Sequence, residues 1–216
     1  MSDFSLPYLE REPREASSIR PLLILLHGRA AEAKTIFSIE GLLDPRFHIL
    51  SIQAPYPSNI GGFEWFPMKG YKEGEEFENE NTIENSEQLL EGDIQKHLIR
   101  LNADGWPLFL WGFSQGAAMS LIIGLRGKIR PIGVIPMSGP LPEPVTHWLN
   151  ISDVSQYLVM HGTEDEVLPL STANKIVHFL QSHNIKTEYY EYRGRHKMTM
   201  DSIGHGNNWV KGLAGL

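Results

Sequence analysis

The sequence predicts an α/β domain in which a mostly parallel central sheet is flanked by helices, without a large lid domain. Short apolar runs alternate along the chain with segments whose apolar residues recur at helical spacing, which is typical of βαβ units. The run at 21–26 is apolar at every position, as expected of a parallel strand that is covered on both faces. The length of 216 residues, with no internal repeat or linker, indicates one domain over 1–216.

The first part of the chain contains three predicted strands and one short helix. Residues 6–12 fit an edge strand, because Pro7 lacks the N–H group that a central strand needs. The runs at 21–26 and 47–52 fit buried strands, with a helix at 33–43 between them. The helix residues predicted to face inward are Ile36, Phe37, Ile39 and Leu42.

The second part of the chain continues the alternation. Isoleucines and leucines between 83 and 101 recur at the spacing of a long amphipathic helix. The later predicted elements are a strand at 107–111, a helix over about 117–125, strands at 130–135 and 157–160, a helix at 170–181, a strand at 187–192 and a final helix that begins at about Met198 or Ile203 and runs towards Leu213. Ligands of such sheets bind beyond the carboxyl ends of the strands, so the residues that follow each strand are the functional candidates.

Between residues 56 and 81 the regular pattern lapses, and prolines and glycines interrupt the chain. An irregular insertion of this length in a compact domain is usually functional. We interpret its acidic run at 73–80 as a solvated loop, because blocks of like charge rarely pack. Its aromatic residues fit either the core or the wall of a substrate pocket. We expect Trp65 and Phe66, together with Leu168 from a later loop, to line the pocket.

The most informative stretch is Gly-Phe-Ser-Gln-Gly at 112–116, which lies between a predicted strand and a predicted helix. This strand–turn–helix context is what a nucleophile elbow requires, with Ser114 at the apex of the turn. Glycines flank the serine because the turn is too tight for side chains. The first N–H groups of the following helix point to the place where negative charge would develop.

A serine nucleophile needs a base, because its hydroxyl is barely ionised at neutral pH, and imidazole can accept and return that proton. Of the nine histidines, His196 follows the last predicted strand and is the first choice, with His205 the second. The acid that would orient the base is one of three adjacent residues after another strand, and position alone does not choose among them: Glu164, Asp165 and Glu166. Serine, acid and histidine in that order is the α/β-hydrolase order.

Two other histidines also lie at strand ends. His27 and His161 each precede a glycine at the point where the chain leaves the sheet. We interpret both as structural residues held by hydrogen bonds, so neither is a candidate for the base.

Composition excludes several classes of function. The net charge is −7 and the basic residues form no long cluster, so nucleic acid is not an expected partner. The absence of cysteine excludes a disulfide framework, a thiolate metal site and a cysteine nucleophile. No secretory signal pattern opens the sequence, and no apolar run approaches the ~20 residues of a membrane span. We therefore expect a soluble cytoplasmic protein without stable membrane insertion.

Over most of its length the chain resembles the phospholipase/carboxylesterase family, which includes the acyl-protein thioesterases. The resemblance rests on Leu-His-Gly at 26–28, Gly-Phe-Ser-Gln-Gly-Ala at 112–117, His-Gly-Thr-Glu-Asp-Glu-Val-Leu-Pro at 161–169, and glycine-x-histidine at 194–196. It implies the α/β-hydrolase fold with a catalytic triad of Ser114, Asp165 and His196. It also implies an oxyanion hole made by the main-chain N–H groups of Arg29 and Gln115, with no metal and no organic cofactor.

The resemblance leads us to expect a serine carboxylesterase that hydrolyses small to medium esters through an acyl-enzyme intermediate. Acyl-protein thioesterases usually carry a small or apolar residue in the position of Arg29. A charge at the mouth of the site, together with the acidic run, disfavours a long-chain lipid substrate. The alternatives are an acyl-protein thioesterase or lysophospholipase and, outside enzymes, an inactive hydrolase-fold binding protein. The expected partner is a small-molecule ester, and a homodimer is compatible with the sequence.

Overall fold

A computed structural model describes residues 4–68, 80–142 and 155–216. The described strands are β1 (Tyr8–Arg11), β2 (Leu22–Leu26), β3 (His48–Ile52), β4 (Tyr56–Pro57), β5 (Phe63–Glu64), β6 (Leu108–Phe113), β7 (Gly133–Met137), β8 (Gln156–Gly162) and β9 (Thr187–Tyr192). The described helices are α1 (Ala33–Phe37), α2 (Glu80–Arg100), α3 (Gln115–Arg126), α4 (Leu170–Ser182) and α5 (Met200–Ala214), with a one-turn 3-10 helix at Glu40–Leu42.

Seven of these strands form one sheet in the order β1-β3-β2-β6-β7-β8-β9. Every neighbouring pair is parallel except β1 and β3, which are antiparallel. Strand β1 lies at the edge, directly after Pro7, as predicted. The mostly parallel sheet flanked by helices is therefore confirmed. Strands β4 and β5 form a separate antiparallel hairpin, which the sequence patterns did not predict.

The core has two layers, one on each face of the sheet, because successive residues of a strand point to opposite faces. On β2, Leu22, Ile24 and Leu26 pack into one layer, and Leu23 and Leu25 into the other. The first layer also receives α2, α3 and α4, while α1 and α5 pack into the second. The apolar run at 21–26 is thus explained by helices on both faces.

The region predicted as one helix at 33–43 is divided in two. Helix α1 ends at Phe37, and the chain continues as the 3-10 helix at Glu40–Leu42. A 3-10 helix has three residues per turn, which shifts the phase of the inward-facing positions. The prediction that Leu42 faces inward is therefore wrong: its exposure is 45%, and the neighbouring Leu43 is buried instead.

Helix α5 begins at a defined cap between the two starts that the sequence suggested. Thr199 Oγ1 accepts a hydrogen bond from the N–H group of Ser202, and the Ser202 side chain reaches back to the N–H group of Thr199. This reciprocal capping satisfies two N–H groups that the helix itself leaves unpaired. The cap ends the short loop that carries His196.

We expect Thr199→Ala to lower the free energy of unfolding by about 1 kcal/mol, because it removes the hydroxyl that caps α5. Urea denaturation of the purified variant measures the change. Thr199→Ser is the matched control, since it keeps the hydroxyl and should retain most of the stability. Equal destabilisation by both substitutions would show that the cap is not the source.

Candidate active site

Ser114 occupies a strained turn between β6 and α3. Its backbone angles are φ 54° and ψ −116°, a left-handed conformation that side-chain-bearing residues rarely adopt. Its N–H group donates to the carbonyl of Met137 on β7 at 2.9 Å. A Cβ atom on Gly112 would overlap the carbonyl of Gly116, and one on Gly116 would overlap the carbonyl of Leu26. The two glycines thus permit α3 to lie directly against β2 and β6, as the elbow motif predicted.

The structure brings Ser114, Asp165 and His196 together at the carboxyl ends of three strands. His196 Nδ1 lies 2.8 Å from Asp165 Oδ2, and His196 Nε2 lies 3.1 Å from Ser114 Oγ. In the tautomer that fits both contacts, Nδ1–H donates to the carboxylate and Nε2 accepts from the hydroxyl. The imidazole therefore connects the acid to the serine.

The other candidates for the base and for the acid contact residues outside the triad. His205 belongs to α5, where its ring stacks on that of Tyr190 at 3.7 Å between centroids. Glu164 Oε1 accepts a hydrogen bond from Arg193 Nε at 3.0 Å. Glu166 Oε1 lies 3.7 Å from Arg195 Nη2.

Asp165 is held as a carboxylate by hydrogen bonds to both of its oxygens. Oδ2 accepts from His196, and Oδ1 accepts from the N–H groups of Val167 and Leu168, both at 2.9 Å. Burial raises the pKa of Asp165, but the hydrogen bonds from His196 and from these N–H groups outweigh it and leave the pKa below its ordinary value. The acid is therefore ionised at neutral pH.

The loop that carries His196 is fixed by Tyr192, the last residue of β9. Its hydroxyl donates to the carbonyl of Lys197 at 3.1 Å and lies 3.2 Å from Ser138 Oγ at the end of β7. The ring of Phe113 lies beside the imidazole, with 5.0 Å between centroids. Tyr192 has no signal in the sequence, because nothing in a strand pattern marks a tyrosine that holds the following loop.

The loop after β2 runs beside the nucleophile. Leu26 pairs with Gly112 in the parallel register of β2 and β6, so the residues that leave the two strands remain neighbours. A Cβ atom on Gly28 would lie only 3.1 Å from the Cβ of Ser114. Gln115 is the first residue of α3, so its N–H group has no partner within the helix. The role of the Arg29 and Gln115 N–H groups as an oxyanion hole stays a prediction from the family resemblance.

The side chain of Arg29 is paired inside the protein. Its Nε donates to Glu64 Oε2 at 2.8 Å, and both side chains are only 5% exposed. Its Nη2 also donates to the carbonyl of Met68 at 3.1 Å. The expectation that Arg29 places a positive charge at the mouth of the site is therefore wrong, because Glu64 neutralises that charge in a buried pair.

Trp65 and Phe66 have no exposed surface and belong to the core layer that receives α2 and α3. The expectation that they line a substrate pocket is not met. Trp65 Nε1 instead donates to the carbonyl of His27 at 2.8 Å. Leu168 is 9% exposed and contacts the site through its main chain, so the pocket role of its side chain stays a prediction.

His27 and His161 are structural, as interpreted from the sequence. His27 Nδ1–H donates to the carbonyl of Gly28 at 2.7 Å, and its Nε2 accepts from the N–H group of Ala54 at 3.0 Å. Burial lowers the pKa of His27 to about 4, so the ring is neutral at pH 7. His161 Nε2 donates to the carbonyl of Leu168 at 2.9 Å.

The described residues contain no group of three or more histidine, cysteine, aspartate or glutamate side chains that could hold a metal ion. None of the helices described here is both long and apolar enough to cross a membrane.

The chain matches one protein-family model and is similar to two named proteins. Residues 13–211 match the family model described as Phospholipase/Carboxylesterase. Acyl-protein thioesterase 1 of Eremothecium gossypii is 32% identical over 111 residues, and that of Yarrowia lipolytica is 27% identical over 174 residues. The first alignment covers 48% of this chain and 43% of the relative, so it spans less than half of either protein. The second covers 74% and 73%.

Among solved structures, the Bacillus cereus carboxylesterase superposes with a TM-score of 0.82, over 98% of this chain and 96% of that one. Its sequence identity is 15%, so this similarity shows the fold alone.

The protonation of His27 generates a prediction about stability. Because its pKa in the folded protein lies below the ordinary 6.5, the unfolded chain binds more protons between pH 6.5 and about 4. The free energy of unfolding should therefore be fully retained above pH 6.5 and fall as the pH drops towards 4. The His27 contribution is at most about 3 kcal/mol at 1.36 kcal/mol per pKa unit.

Urea denaturation at a series of pH values checks this prediction for the wild type and for His27→Gln. The variant should lose less stability over this range than the wild type. His97, whose pKa burial also lowers to about 4, acts in the same direction in both proteins and cancels in the difference. An unchanged slope in His27→Gln would contradict the assignment.

Proposed function

The chain belongs to the phospholipase/carboxylesterase family, and from this premise we propose that it hydrolyses carboxylic esters through an acyl-enzyme on Ser114. The observation that carries the proposal is the position of His196. Its two ring nitrogens reach Asp165 Oδ2 at 2.8 Å and Ser114 Oγ at 3.1 Å. If His196 lay far from Ser114, the alternative of an inactive binding protein would be favoured. The observed distance does not favour that alternative.

In the proposed first step, Ser114 Oγ attacks the ester carbonyl while His196 Nε2 takes the hydroxyl proton. The carbonyl oxygen becomes an oxyanion that accepts hydrogen bonds from the N–H groups of Arg29 and Gln115. Such donors contribute several kcal/mol to the transition state, because they are oriented before the charge appears. The C–O bond then breaks, and His196 returns the proton to the leaving alcohol.

In the second step, His196 accepts a proton from water, whose oxygen attacks the acyl-enzyme. The tetrahedral intermediate collapses to a carboxylic acid, and Ser114 regains its proton from His196. Throughout, ionised Asp165 holds the imidazole in one tautomer and stabilises the imidazolium that forms in each step. None of these steps requires a metal or an organic cofactor.

Small to medium esters are the first candidate substrates, and long-chain acyl groups are the second. Of the two features that favoured small esters, the charge of Arg29 is neutralised by Glu64, and the acidic residues at 73–79 lie outside the described residues. Similarity to the two acyl-protein thioesterases supports the second candidate. The cytoplasmic location and the homodimer stay predictions from the sequence.

Hydrolysis of p-nitrophenyl esters from acetate to palmitate tests the proposal. We expect activity in the wild type and its loss in Ser114→Ala, because the methyl group fits the site but cannot attack. Ser120→Ala is the matched control, since Ser120 lies on α3 and its Oγ donates to the carbonyl of Ala117 on the same helix. A maximum at short chains supports small esters, and a maximum at long chains supports the acyl-protein thioesterase alternative. Folded wild type without Ser114-dependent hydrolysis would contradict the proposal.

The assignment of the base has its own test. His196→Ala should lower kcat on the order of 10⁶-fold, because Ser114 loses its proton acceptor. His205→Ala should change kcat little, since that ring stacks on Tyr190 away from the serine. Steady-state kinetics of both variants on the same ester checks this, and exchanged behaviour of the two histidines would show that the base is wrong.

A further inference from the structure

The two residues that supply the proposed oxyanion donors both bind one short segment with their side chains. The segment is Glu64–Phe66, which we term the 64–66 bridge. Gln115 Oε1 accepts from the N–H group of Trp65 at 3.0 Å, and Gln115 Nε2 donates to the carbonyl of Phe66 at 2.8 Å. Arg29 Nε donates to Glu64 Oε2 at 2.8 Å. Arg29 and Gln115 belong to different loops, so the bridge connects the loop after β2 with the elbow after β6.

Further contacts hold the bridge to the loop that carries Arg29. The Trp65 indole donates to the carbonyl of His27 at 2.8 Å, and the N–H group of Phe63 donates to the carbonyl of Ala31 at 2.9 Å. From the other side, Ser86 Oγ on α2 donates to the carbonyl of Trp65. The bridge is therefore bound along its whole length.

These contacts are buried. Trp65 and Phe66 have no exposed surface, Gln115 is 2% exposed, and the side chains of Arg29 and Glu64 are each 5% exposed. Hydrogen bonds and ion pairs are electrostatically stronger in such surroundings than in water, and breaking one leaves a buried polar group without a partner. The bridge is consequently a stiff connection.

A stiff connection matters because an oxyanion hole works by preorganisation. Two N–H groups from separate loops must both lie within hydrogen-bond reach of one developing oxyanion. Main-chain pairing of β2 with β6 ends at Leu26 and Gly112, three residues before the two donors. Beyond that point, the side chains of Arg29 and Gln115 connect the two segments through the 64–66 bridge.

We propose that the 64–66 bridge positions the oxyanion hole, with Glu64 and the side chain of Gln115 setting the separation of the two N–H donors. These are positioning residues, because they act through the donors and do not touch the substrate. This inference rests on the proposed function, which uses only the main-chain N–H groups of Arg29 and Gln115. It adds a role for the side chains of these two residues. It also accounts for the buried charge of Arg29.

Two variants that preserve side-chain volume test the proposal. Gln115→Met keeps the main-chain N–H group and removes both hydrogen bonds to the bridge. Glu64→Gln keeps the shape of the side chain and removes the charge that pairs with Arg29. Glu10→Gln is the matched control, because Glu10 also accepts a hydrogen bond from an arginine, Arg100, and lies on the edge strand β1. Circular dichroism confirms folding, and either bridge variant alone is sufficient if the other does not fold.

The measurements are kcat and KM on a p-nitrophenyl ester and the Ki of a trifluoromethyl ketone, which forms a tetrahedral oxyanion on the serine. We expect both bridge variants to lower kcat about 10- to 100-fold with little change in KM, because oxyanion contacts act in the transition state. The Ki should rise by about the factor by which kcat/KM falls. Glu10→Gln should match the wild type.

A purely structural bridge gives different results. Folded variants with unchanged kcat and Ki would overturn the inference while Ser114-dependent hydrolysis by the wild type left the proposed function standing. A fall in kcat with an unchanged Ki would overturn it as well. Absence of Ser114-dependent hydrolysis in the wild type would overturn the proposed function, and this inference with it.

Discussion

The site depends on one local constraint, the strained turn that presents Ser114 between β6 and α3. A residue with a side chain holds a positive φ there only because the surrounding contacts leave no other arrangement. Gly112 and Gly116 allow the backbones of β2, β6 and α3 to approach within distances that a Cβ atom would prevent. The same close approach brings the loop after β2 against the serine, and the 64–66 bridge then connects the two residues that carry the candidate oxyanion donors.

The remaining members of the site are placed by the order of the parallel strands. Strands β8 and β9 are neighbours in register, with Gly162 opposite Tyr192, so the loops that carry Asp165 and His196 leave the sheet side by side. Strand β7 lies between β6 and β8 and supports both sides of the site. The carbonyl of Met137 on β7 accepts a hydrogen bond from the N–H group of Ser114. Ser138, which directly follows β7, lies beside the Tyr192 hydroxyl. The strand order therefore brings Ser114, Asp165 and His196, which are far apart in sequence, within hydrogen-bond distance of one another along the triad.

The sequence predicted the features that are encoded locally. A glycine-flanked serine after a buried strand requires a tight turn, and His196 follows the last strand, so both could be placed from pattern alone. The choice of Asp165 over its acidic neighbours needed the family resemblance. Other features depend on tertiary contacts and could not be predicted from pattern. Leu42 is exposed because the chain forms a 3-10 helix there. Arg29 pairs with Glu64, which lies on the β4–β5 hairpin that periodicity does not predict. Trp65 and Phe66 lie in the core, where Gln115 and Ser86 bind their backbone.

We propose that the hydrogen bond to His196, which Asp165 orients, makes Ser114 a nucleophile. Treatment of the native protein with a fluorophosphonate, followed by peptide mass spectrometry, tests it most directly, because this reagent reacts with activated serines. We expect one added phosphonyl group on the peptide that contains Ser114, and we expect none in His196→Ala or after denaturation. Modification of a different residue, or no modification of the folded wild-type protein, would contradict it.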